Sequence, residues 1–332
     1  MAMVVEEEGE LFAMSDGSEE EEGFRRRMFS VRYLSSHCFI KPSRHDSCPD
    51  PAMPISANQV LEALRRIPDK HWKNTGRANV RPDGVETIDS VTLGLVSCAS
   101  TAGMPLPSRS TRLYPGLCRM LLRFWKQHLR QEQAVGRIPG CQALACTSIQ
   151  LNRNYAARPH VDGNNLGPSW ITAVGDWSFG GELFVESACG SEKHVLEHDI
   201  SPRYRKGEIC TGRSVNVRNC WARFDGRVMH FVRPFAGGDR FSLVFFCSTR
   251  HTSCPLEARS YLEELGFRLP PTRRSPFNEE CHCNDLPSAM RMDEEGRLFD
   301  ITPRLCRSSR DLALWQEPPV KRRRTKKSPG SL

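Results

Sequence analysis

Two histidines and one aspartate in the second half of the chain have the residue types of a metal-binding set. His160 and Asp162 stand one residue apart in RPHVDGNNLGPSW, and His230 follows later in the apolar run RVMHFV. Two imidazole nitrogens and one carboxylate oxygen can occupy one face of a six-coordinate iron(II) and leave three positions open. The chain has ten histidines, so a single His-x-Asp pair arises easily by chance and is weak evidence alone.

An arginine downstream of His230 extends this pattern. Arg240 opens the alternating run RFSLVFF, so a strand there would carry Arg240 and Ser242 on one face. A 2-oxo acid can fill two open positions on iron(II), and dioxygen can take the third. The far carboxylate of 2-oxoglutarate then needs a fixed cation, which the planar guanidinium of Arg240 could supply beside the Ser242 hydroxyl. Taken singly, each residue has an ordinary alternative as a core or surface side chain.

The order of the motifs is more specific than any one of them. His-x-Asp is followed by Gly-Gly-Glu-Leu, by Asp-Gly-x-x-x-His, and by Arg-x-Ser on the alternating run. In this order, residues 143–250 resemble the iron(II)- and 2-oxoglutarate-dependent dioxygenase superfamily. The segment LNRNYAARPHVDGNNLGPSWITAVGDWSFGGEL is most similar to the TET and J-binding-protein branch, whereas MHFVRPFAGGDRFSLVFF is also similar to protein prolyl hydroxylases.

This resemblance implies a non-haem iron enzyme that uses Fe(II), 2-oxoglutarate and O2. Relatives also carry polar groups near the co-substrate on the segment that enters the site, where this chain has an asparagine and a tyrosine; a plain strand or turn role is the alternative for both. The resemblance assigns catalytic roles to His160, Asp162, His230 and Arg240, metal ligation to the first three, and co-substrate binding to Arg240, Ser242, Asn152 and Tyr155.

The TET-like segment further implies hydroxylation of a C–H bond on a methylated nucleic-acid base. A base in a duplex must be flipped out of the stack, and aromatic and cationic side chains would offset that cost. Trp170, Trp177, Arg153 and Arg158 flank the metal motif and are candidates, although strand core is the more ordinary role for the tryptophans. The alternatives are a prolyl- or lysyl-type protein hydroxylase and an inactive binding module on the same fold.

Charge is distributed unevenly along the chain. Residues 1–22 carry nine acids and no base, KRRRTKK at 321–327 carries six bases, and the residues between them stay net positive. A basic body favours an anionic partner such as DNA or RNA, although positive charge can also serve solubility alone. With no long apolar run and no signal-peptide pattern, we expect no membrane partner and no secretion. KRRRTKK predicts a nuclear location, with the cytoplasm as the alternative.

Fourteen cysteines are many for 332 residues. Inside a reducing cell they are expected to be thiols or metal ligands rather than disulfides. No Cys-x-x-Cys pair occurs, and ordinary thiols are the favoured interpretation. The sequence leaves open a zinc site built from Cys254, Cys281, His282 and Cys283.

The secondary-structure signals predict an α+β protein. Ser56 is an N-cap signal before an amphipathic run, Pro115 starts a longer apolar stripe that continues to Gly136, and PLEARSYLEELGF predicts a third helix. VTLGLVS at 91–97 predicts a strand, and seven short strand-like runs follow from residue 143 to 248. With the resemblance, these strands predict a double-stranded β-helix, or jelly-roll, core with packing helices and disordered termini.

Five segments follow from these signals. They are a disordered acidic region at 1–50, a helical support region at 51–142, the dioxygenase core at 143–250, a C-terminal helix with a Cys/His-containing extension at 251–316, and a disordered basic tail at 317–332.

Overall fold

The computed structural model of the chain describes residues 41–46, 50, 53–74, 77–97, 103–136, 145–271, 290–292 and 298–300. Most of the predicted acidic region and the whole basic tail, with its KRRRTKK signal, lie outside these residues. The predictions of disorder and of a nuclear location therefore stay predictions. No helix in the described ranges is long and apolar enough to cross a membrane.

Helix α1, Ala57–Arg65, begins where the sequence predicts it. The Ser56 hydroxyl accepts a hydrogen bond from the Gln59 backbone N–H, and the Gln59 side chain accepts one from the Ser56 backbone N–H. This capping box satisfies two backbone donors that a helix start otherwise leaves unpaired. The apolar face of α1 is buried at Val60 and Leu64.

The longest helix also follows its predicted apolar stripe. After the short helix α2, Arg109–Leu113, helix α3 covers Pro115–Ala134 with proline at its first turn. Its stripe is buried, and the indole of Trp125 stacks on Phe245 of the sheet below at a ring distance of 5.5 Å. Helix α4, Leu256–Glu264, matches the third predicted helix.

All paired strands in the described residues run antiparallel. In chain order they are β1 Lys73–Asn74, β2 Ile88–Ser97, β3 Pro105–Pro107, β4 Ser148–Arg153, β5 Ser169–Gly175, β6 Phe179–Gly180, β7 Leu183–Glu186, β8 Glu192–Val195, β9 Ile209–Val215, β10 Ala222–Phe224, β11 His230–Val232, β12 Phe235–Ala236, β13 Arg240–Phe246, β14 Met290–Met292 and β15 Leu298–Asp300.

The strands form two main sheets that face each other. The major sheet has the order β1-β2-β4-β13-β5-β10-β14-β15, with β3 beside β2, and the minor sheet has the order β11-β7-β9-β8. A bridge between His160 and His230 adds the segment before Asp162 to the edge of the minor sheet. The chain thus alternates between the sheets from β4 to β13, which confirms the predicted double-stranded β-helix core.

Side-chain alternation divides the core into two layers at the major sheet. On β13, Phe241, Leu243 and Phe245 pack with the helices. The other face of the sheet packs against the minor sheet through a cluster that includes Ile171, Ala173, Leu183, Val185 and Val215. Because neighbouring residues of a strand point to opposite faces, the interior between the sheets also receives Arg240 and Ser242.

The region 51–142 is more than a helical support. It supplies β1, β2 and β3, and β2 pairs with β4 along six residues, so the major sheet starts well before residue 143. Strand β8 is an addition that the sequence analysis did not predict. Its sequence, EKHV, is polar and partly exposed, so it lacks the apolar alternation of a buried strand. The segment boundaries themselves stay predictions.

Candidate metal centre

His160, Asp162 and His230 converge at one end of the barrel. One ligand atom from each residue lies within 4.8 Å of the others, and His230 Nε2 is 3.8 Å from Asp162 Oδ2. His160 and His230 face each other across their β-bridge with ring centroids 4.2 Å apart. Within the described residues this is the one group of three or more His, Cys, Asp or Glu side chains that could hold a metal ion.

Backbone carbonyls orient both imidazoles. His160 Nδ1 lies 2.8 Å from the Arg158 carbonyl oxygen, and His230 Nδ1 lies 2.9 Å from the Val228 carbonyl oxygen. A carbonyl can only accept, so each Nδ1 carries a proton, and in the neutral ring Nε2 then keeps its lone pair. This is the tautomer in which Nε2 binds a metal and the other ring nitrogen is held by a hydrogen bond.

Burial keeps His160 in the form that metals bind. Desolvation, helped by the nearby His230, lowers the pKa of His160 to about 3, although the Asp162 carboxylate acts in the opposite direction. The imidazole is therefore neutral at physiological pH, as metal ligation requires. Two imidazole nitrogens and one carboxylate form the donor set that suits non-haem iron(II) with open positions, so these residues fit that ion.

A glycine turn positions Asp162. The Asp162 backbone N–H donates to the Gly226 carbonyl at 2.7 Å, which ties the loop after His160 to the turn before His230. A Cβ at Gly226 would lie 2.7 Å from Asn165 Nδ2 and 3.5 Å from Asp162 Cβ. The Asp-Gly motif thus leaves room for the loop that carries the carboxylate.

Arg240 is buried in the interior between the two sheets. Only 1% of it is exposed, and one Nη donates to the Gly181 carbonyl at 2.8 Å. Its Nε is buried and has no hydrogen-bond partner among the described residues. Burial lowers the pKa of Arg240 to about 10, against the opposing influence of Glu182, so the guanidinium stays charged near neutral pH. A buried cation with an unused donor fits an anionic ligand such as a carboxylate.

The Gly-Gly motif leaves space for the Arg240 side chain inside the barrel. Gly181 has φ +82°, and a Cβ there would lie 2.8 Å from Trp177 Nε1 and 2.9 Å from Arg240 Nε. The guanidinium also lies over the Trp177 ring, 5.5 Å from its centroid. A side chain at position 181 would therefore displace the arginine or the indole.

The three remaining predicted co-substrate residues form one hydrogen-bonded network. Asn152 Nδ2 donates to Ser242 Oγ at 3.0 Å, and the Tyr155 hydroxyl donates to Asn152 Oδ1 at 2.7 Å. Burial raises the pKa of Tyr155 to about 12, so its hydroxyl remains a neutral donor. Ser242 pairs with Asn152 in register, on the same face as Arg240. The structure thus brings these residues together, while their contact with a co-substrate stays a prediction.

The four residues suggested for nucleic-acid contacts have other partners. Trp170 and Trp177 are 5% and 2% exposed, which confirms the strand-core role rather than base stacking. Arg153 forms ion pairs with Asp89 and Asp69, and Arg158 binds Asp83 and two backbone carbonyls. These side chains stabilise the fold around the site.

Arg77 is a residue that the sequence analysis missed. Its turn is fixed to the segment before His160, because the Arg158 N–H donates to the Val80 carbonyl at 3.1 Å and the Arg158 guanidinium donates to the Ala78 carbonyl at 2.9 Å. The Arg77 charge acts to lower the pKa of Tyr155. No local motif marks Arg77, because its position depends on a contact between distant parts of the chain.

A cavity of about 450 Å³ lies beside the segment that leads to His160. Its walls include Val161, Leu196 and Phe231, which belong to the cluster on the outer face of the minor sheet. His160 lines this cavity, whereas His230 and Arg240 do not. The cavity is therefore separate from the interior that holds the arginine.

Of the four residues of the alternative zinc set, the structure describes Cys254. Cys254 is buried, its Sγ lies 3.6 Å from the Pro255 carbonyl oxygen, and burial raises its pKa to about 12. Cys281, His282 and Cys283 lie outside the described residues. The alternative of a zinc site, which the sequence leaves open, thus falls mostly outside the described residues.

Comparison with protein families and curated proteins gives no match to this chain. Three solved structures are similar to it. A 2OG-Fe(II) oxygenase family oxidoreductase from Burkholderia pseudomallei is 19% identical, with 50% of this chain and 70% of that chain covered and a TM-score of 0.30. NgTET1 in complex with 5mC DNA is 14% identical, with 68% and 91% covered and a TM-score of 0.31.

The third structure is a prolyl-4-hydroxylase from Pseudomonas putida. It is 14% identical, with 58% of this chain and 88% of that chain covered and a TM-score of 0.34. These TM-scores are low, so the strand order of the chain itself defines its fold. Among solved structures, the chain is thus similar to 2OG-Fe(II) oxygenase family members, which include a TET protein and a prolyl hydroxylase.

Proposed function

We propose that this protein is an Fe(II)- and 2-oxoglutarate-dependent dioxygenase that hydroxylates a C–H bond, with a methylated nucleic-acid base as its substrate. The observation that carries the proposal is the convergence of His160, Asp162 and His230 within 4.8 Å, with both Nδ1 atoms already bonded to backbone carbonyls. A core histidine pair needs no carboxylate beside its ring nitrogens, whereas the two-histidine, one-carboxylate set of non-haem iron(II) includes one.

The second support is the buried cation inside the same barrel. Arg240 has an unused Nε donor in a site closed to water, which is costly unless an anion completes it. The network of Ser242, Asn152 and Tyr155 lines the same interior with neutral hydroxyl and amide groups. These groups would orient 2-oxoglutarate by hydrogen bonds, with the charge of its far carboxylate balanced by Arg240.

Bound iron would supply the activation of dioxygen in this reaction. Overall, substrate C–H, 2-oxoglutarate and O2 give substrate C–OH, succinate and CO2. The protein's own contribution is to hold the ligands in one tautomer, to balance the co-substrate's charge, and to exclude water from the barrel interior.

The nucleic-acid part of the proposal rests on charge. The chain has a net charge of +8, and residues 1–22 carry nine acids and no base, so the remainder is more basic than the total suggests. A basic protein attracts a polyanion over distances up to the screening length of the solution.

Succinate release under four conditions tests the proposal. Full-length protein, Fe(II), ascorbate and 2-oxoglutarate are incubated without substrate, or with 5-methylcytosine DNA, methylated RNA or a proline- and lysine-rich peptide pool. We expect the methylated nucleic acids to stimulate succinate release, and Asp162→Ala to abolish it. Asp199→Ala is the matched control, because Asp199 is exposed, pairs with Arg205 and is not one of the three candidate ligands.

Each other outcome rejects part of the proposal. Stimulation by peptides alone would identify a protein hydroxylase and refute the nucleic-acid substrate. No turnover by the parent protein under any condition, or equal turnover by Asp162→Ala, would refute the enzyme itself and favour a binding module.

A further inference from the structure

The inward face of the minor sheet carries a cation in line with the metal ligands. His230 of β11 pairs with Val185 of β7, and Val185 pairs with Arg213 of β9. These three residues form one row across the sheet, so their side chains point to the same face. Val185 belongs to the core between the sheets, which makes this face the inner one. Arg213 therefore lies two strands, or about 10 Å, from His230.

The same face continues beyond the metal ligands as a free surface. From the buried Val215, every second residue of β9 points inward, through Arg213 and Thr211 to Ile209. On the neighbouring edge strand β8, Lys193 pairs with Thr211 and Val195 pairs with Ile209. We call these five inward residues the hairpin wall: Lys193, Val195, Ile209, Thr211 and Arg213.

Two apolar side chains of the hairpin wall lie in solvent. Val195 is 54% exposed and Ile209 is 61% exposed, although they form a cross-strand pair on the inner face. β7 ends at Glu186, where it pairs with Gly212, so the hairpin extends past the end of β7 toward the metal-binding end of the barrel. An exposed apolar pair beside a reaction site is suited to contact a substrate.

Charges on these strands are sorted by face. Lys193 and Arg213 point inward, and neither has a hydrogen bond or ion pair within the described residues; the Arg213 Nε is buried and unpaired. The carboxylates of Glu186 and Glu192 point outward, where Glu186 accepts a hydrogen bond from Tyr204 and Glu192 pairs with Arg233. The inner face thus carries two cations that have no acidic partner among the described residues. A surface with a purely structural role has no need of such cations.

We infer that the hairpin wall binds the sugar-phosphate backbone of a single-stranded nucleic acid whose target base reaches the metal centre. This inference rests on the proposed function and specifies its substrate surface. Lys193 and Arg213 would neutralise phosphodiester groups, while Val195 and Ile209 contact sugar or base faces. The spacing between Arg213 and His230 matches the size of one nucleotide, from its phosphate to its base.

A peptide substrate fits this surface less well. An extended peptide would pair with the free backbone edge of β8, as strand addition does at exposed sheet edges. The features described here are side chains on a sheet face, with cations next to apolar groups. This combination is typical of single-strand binding, in which electrostatic and hydrophobic contacts alternate.

Binding of a labelled oligonucleotide tests the hairpin wall. The probe is a fluorescein-labelled single-stranded DNA 12-mer with one 5-methylcytosine, titrated with full-length protein at several salt concentrations. We expect Lys193→Ala and Arg213→Ala each to weaken binding at least threefold and to lower the salt slope by roughly 0.7 per cation. Ile209→Ser should weaken binding without changing the salt slope.

Lys206→Ala is the matched control, because Lys206 is an exposed cation in the loop of the same hairpin. It should leave affinity within twofold of the parent. Arg213→Lys, which keeps the charge, guards against misfolding of Arg213→Ala and should retain most of the binding. Unchanged binding by Lys193→Ala and Arg213→Ala, equal loss in Lys206→Ala, or no binding by the parent would overturn the inference.

Two further measurements separate this inference from the proposed function. If the wall variants keep iron and 2-oxoglutarate binding but bind DNA like the parent, only the hairpin wall is wrong. If the parent binds DNA through the wall but binds no iron, only the dioxygenase is wrong. If an acidic peptide displaces the DNA and Lys193→Ala loses peptide binding, the hairpin wall is a peptide-binding surface and the inference is overturned.

Discussion

At the scale of single residues, the two histidines of the candidate centre are oriented in the same way. Each ring nitrogen Nδ1 is bonded to the carbonyl two residues before its own position, at Arg158 for His160 and at Val228 for His230. This contact is local to each strand, so it does not depend on the arrival of a metal. The ligand atoms are therefore preorganised by the backbone.

The buried arginine gives a prediction at the same scale. Arg240→Met should raise the 2-oxoglutarate concentration needed for half-maximal turnover by roughly 10- to 100-fold, because charge-assisted hydrogen bonds to the carboxylate are lost. Arg240→Lys should have a half-saturating 2-oxoglutarate concentration between those of the parent and Arg240→Met, because lysine keeps the charge but lacks the planar pair of donors of a guanidinium. Steady-state kinetics with varied 2-oxoglutarate measure both effects.

Arg218→Ala provides the control for this change. Arg218 also stacks on Trp177, at 4.9 Å, but it is exposed. It should leave the dependence on 2-oxoglutarate unchanged. Equal dependence in the parent and in Arg240→Met would remove Arg240 from the co-substrate site.

At the scale of elements, short glycine turns join the strands that carry the site. The Gly180–Gly181 link connects β6 to β7, and both glycines have positive φ. A Cβ at Gly180 would lie 1.9 Å from the Pro234 carbonyl oxygen, so the link also fits against the segment after β11. The position of the arginine pocket thus depends on two residues that lack side chains.

Gly181→Ala tests this dependence. The left-handed conformation costs an alanine about 1–2 kcal/mol, and the added Cβ crowds Arg240 Nε and Trp177 Nε1. We expect a lower melting temperature and weaker 2-oxoglutarate binding, with Fe(II) affinity unchanged because the metal ligands lie elsewhere. Gly207→Ala is the control: its φ is also positive, but no atom lies within 4 Å of its Cβ. If both variants bind 2-oxoglutarate equally weakly, the effect of Gly181→Ala comes from backbone strain and not from crowding of Arg240.

The sequence predicts elements with strong local signals. The capping box at Ser56, the apolar stripe of α3 and the alternation of β13 all correspond to observed helices and strands. The grouping of His160, Asp162 and His230 was predictable as well, because two of these residues share a motif and the third follows at a recognisable turn.

Residues placed by strand register could not be predicted in this way. Arg213 lies beside the metal row only because β7 and β9 pair with one particular offset. The turn that follows Arg77 is fixed by Arg158, about 80 residues later in the chain. Strand β8 was missed because a polar edge strand has no apolar period.

At the scale of the whole molecule, stability depends on the layer between the helices and the major sheet. His128 of α3 is 5% exposed within this layer and stacks on Trp221, with centroids 5.0 Å apart and an interplanar angle of 3°. Its Nε2 is buried and has no partner among the described residues. Burial lowers the pKa of His128 from 6.5 to about 4.

The sign of the resulting pH effect follows from this shift. Below pH 6.5 the unfolded chain takes up a proton at His128 more readily than the folded protein does. Stability from the neutral ring is therefore full above pH 6.5 and is lost as pH falls toward 4. The loss at this one site is about 3 kcal/mol when complete, by the usual conversion of pKa shifts.

His128→Phe should remove this part of the pH dependence. Urea unfolding of the metal-free protein at pH 7.5 and pH 4.5 measures the free energy of unfolding in both variants. We expect the decrease in the free energy of unfolding from pH 7.5 to pH 4.5 to be roughly 2–3 kcal/mol smaller in His128→Phe than in the parent. The same difference in both proteins would show that His128 does not contribute to acid sensitivity.

The most direct test of the central claim is an anaerobic titration of the protein with Fe(II) in the presence of 2-oxoglutarate, followed by the charge-transfer absorption of the iron chelate. The account predicts saturation at one Fe(II) per chain in the parent and no protein-bound signal in Asp162→Ala, with the Asp199→Ala control unchanged. No signal in the parent, or the same titration in Asp162→Ala, would contradict a metal centre formed by His160, Asp162 and His230.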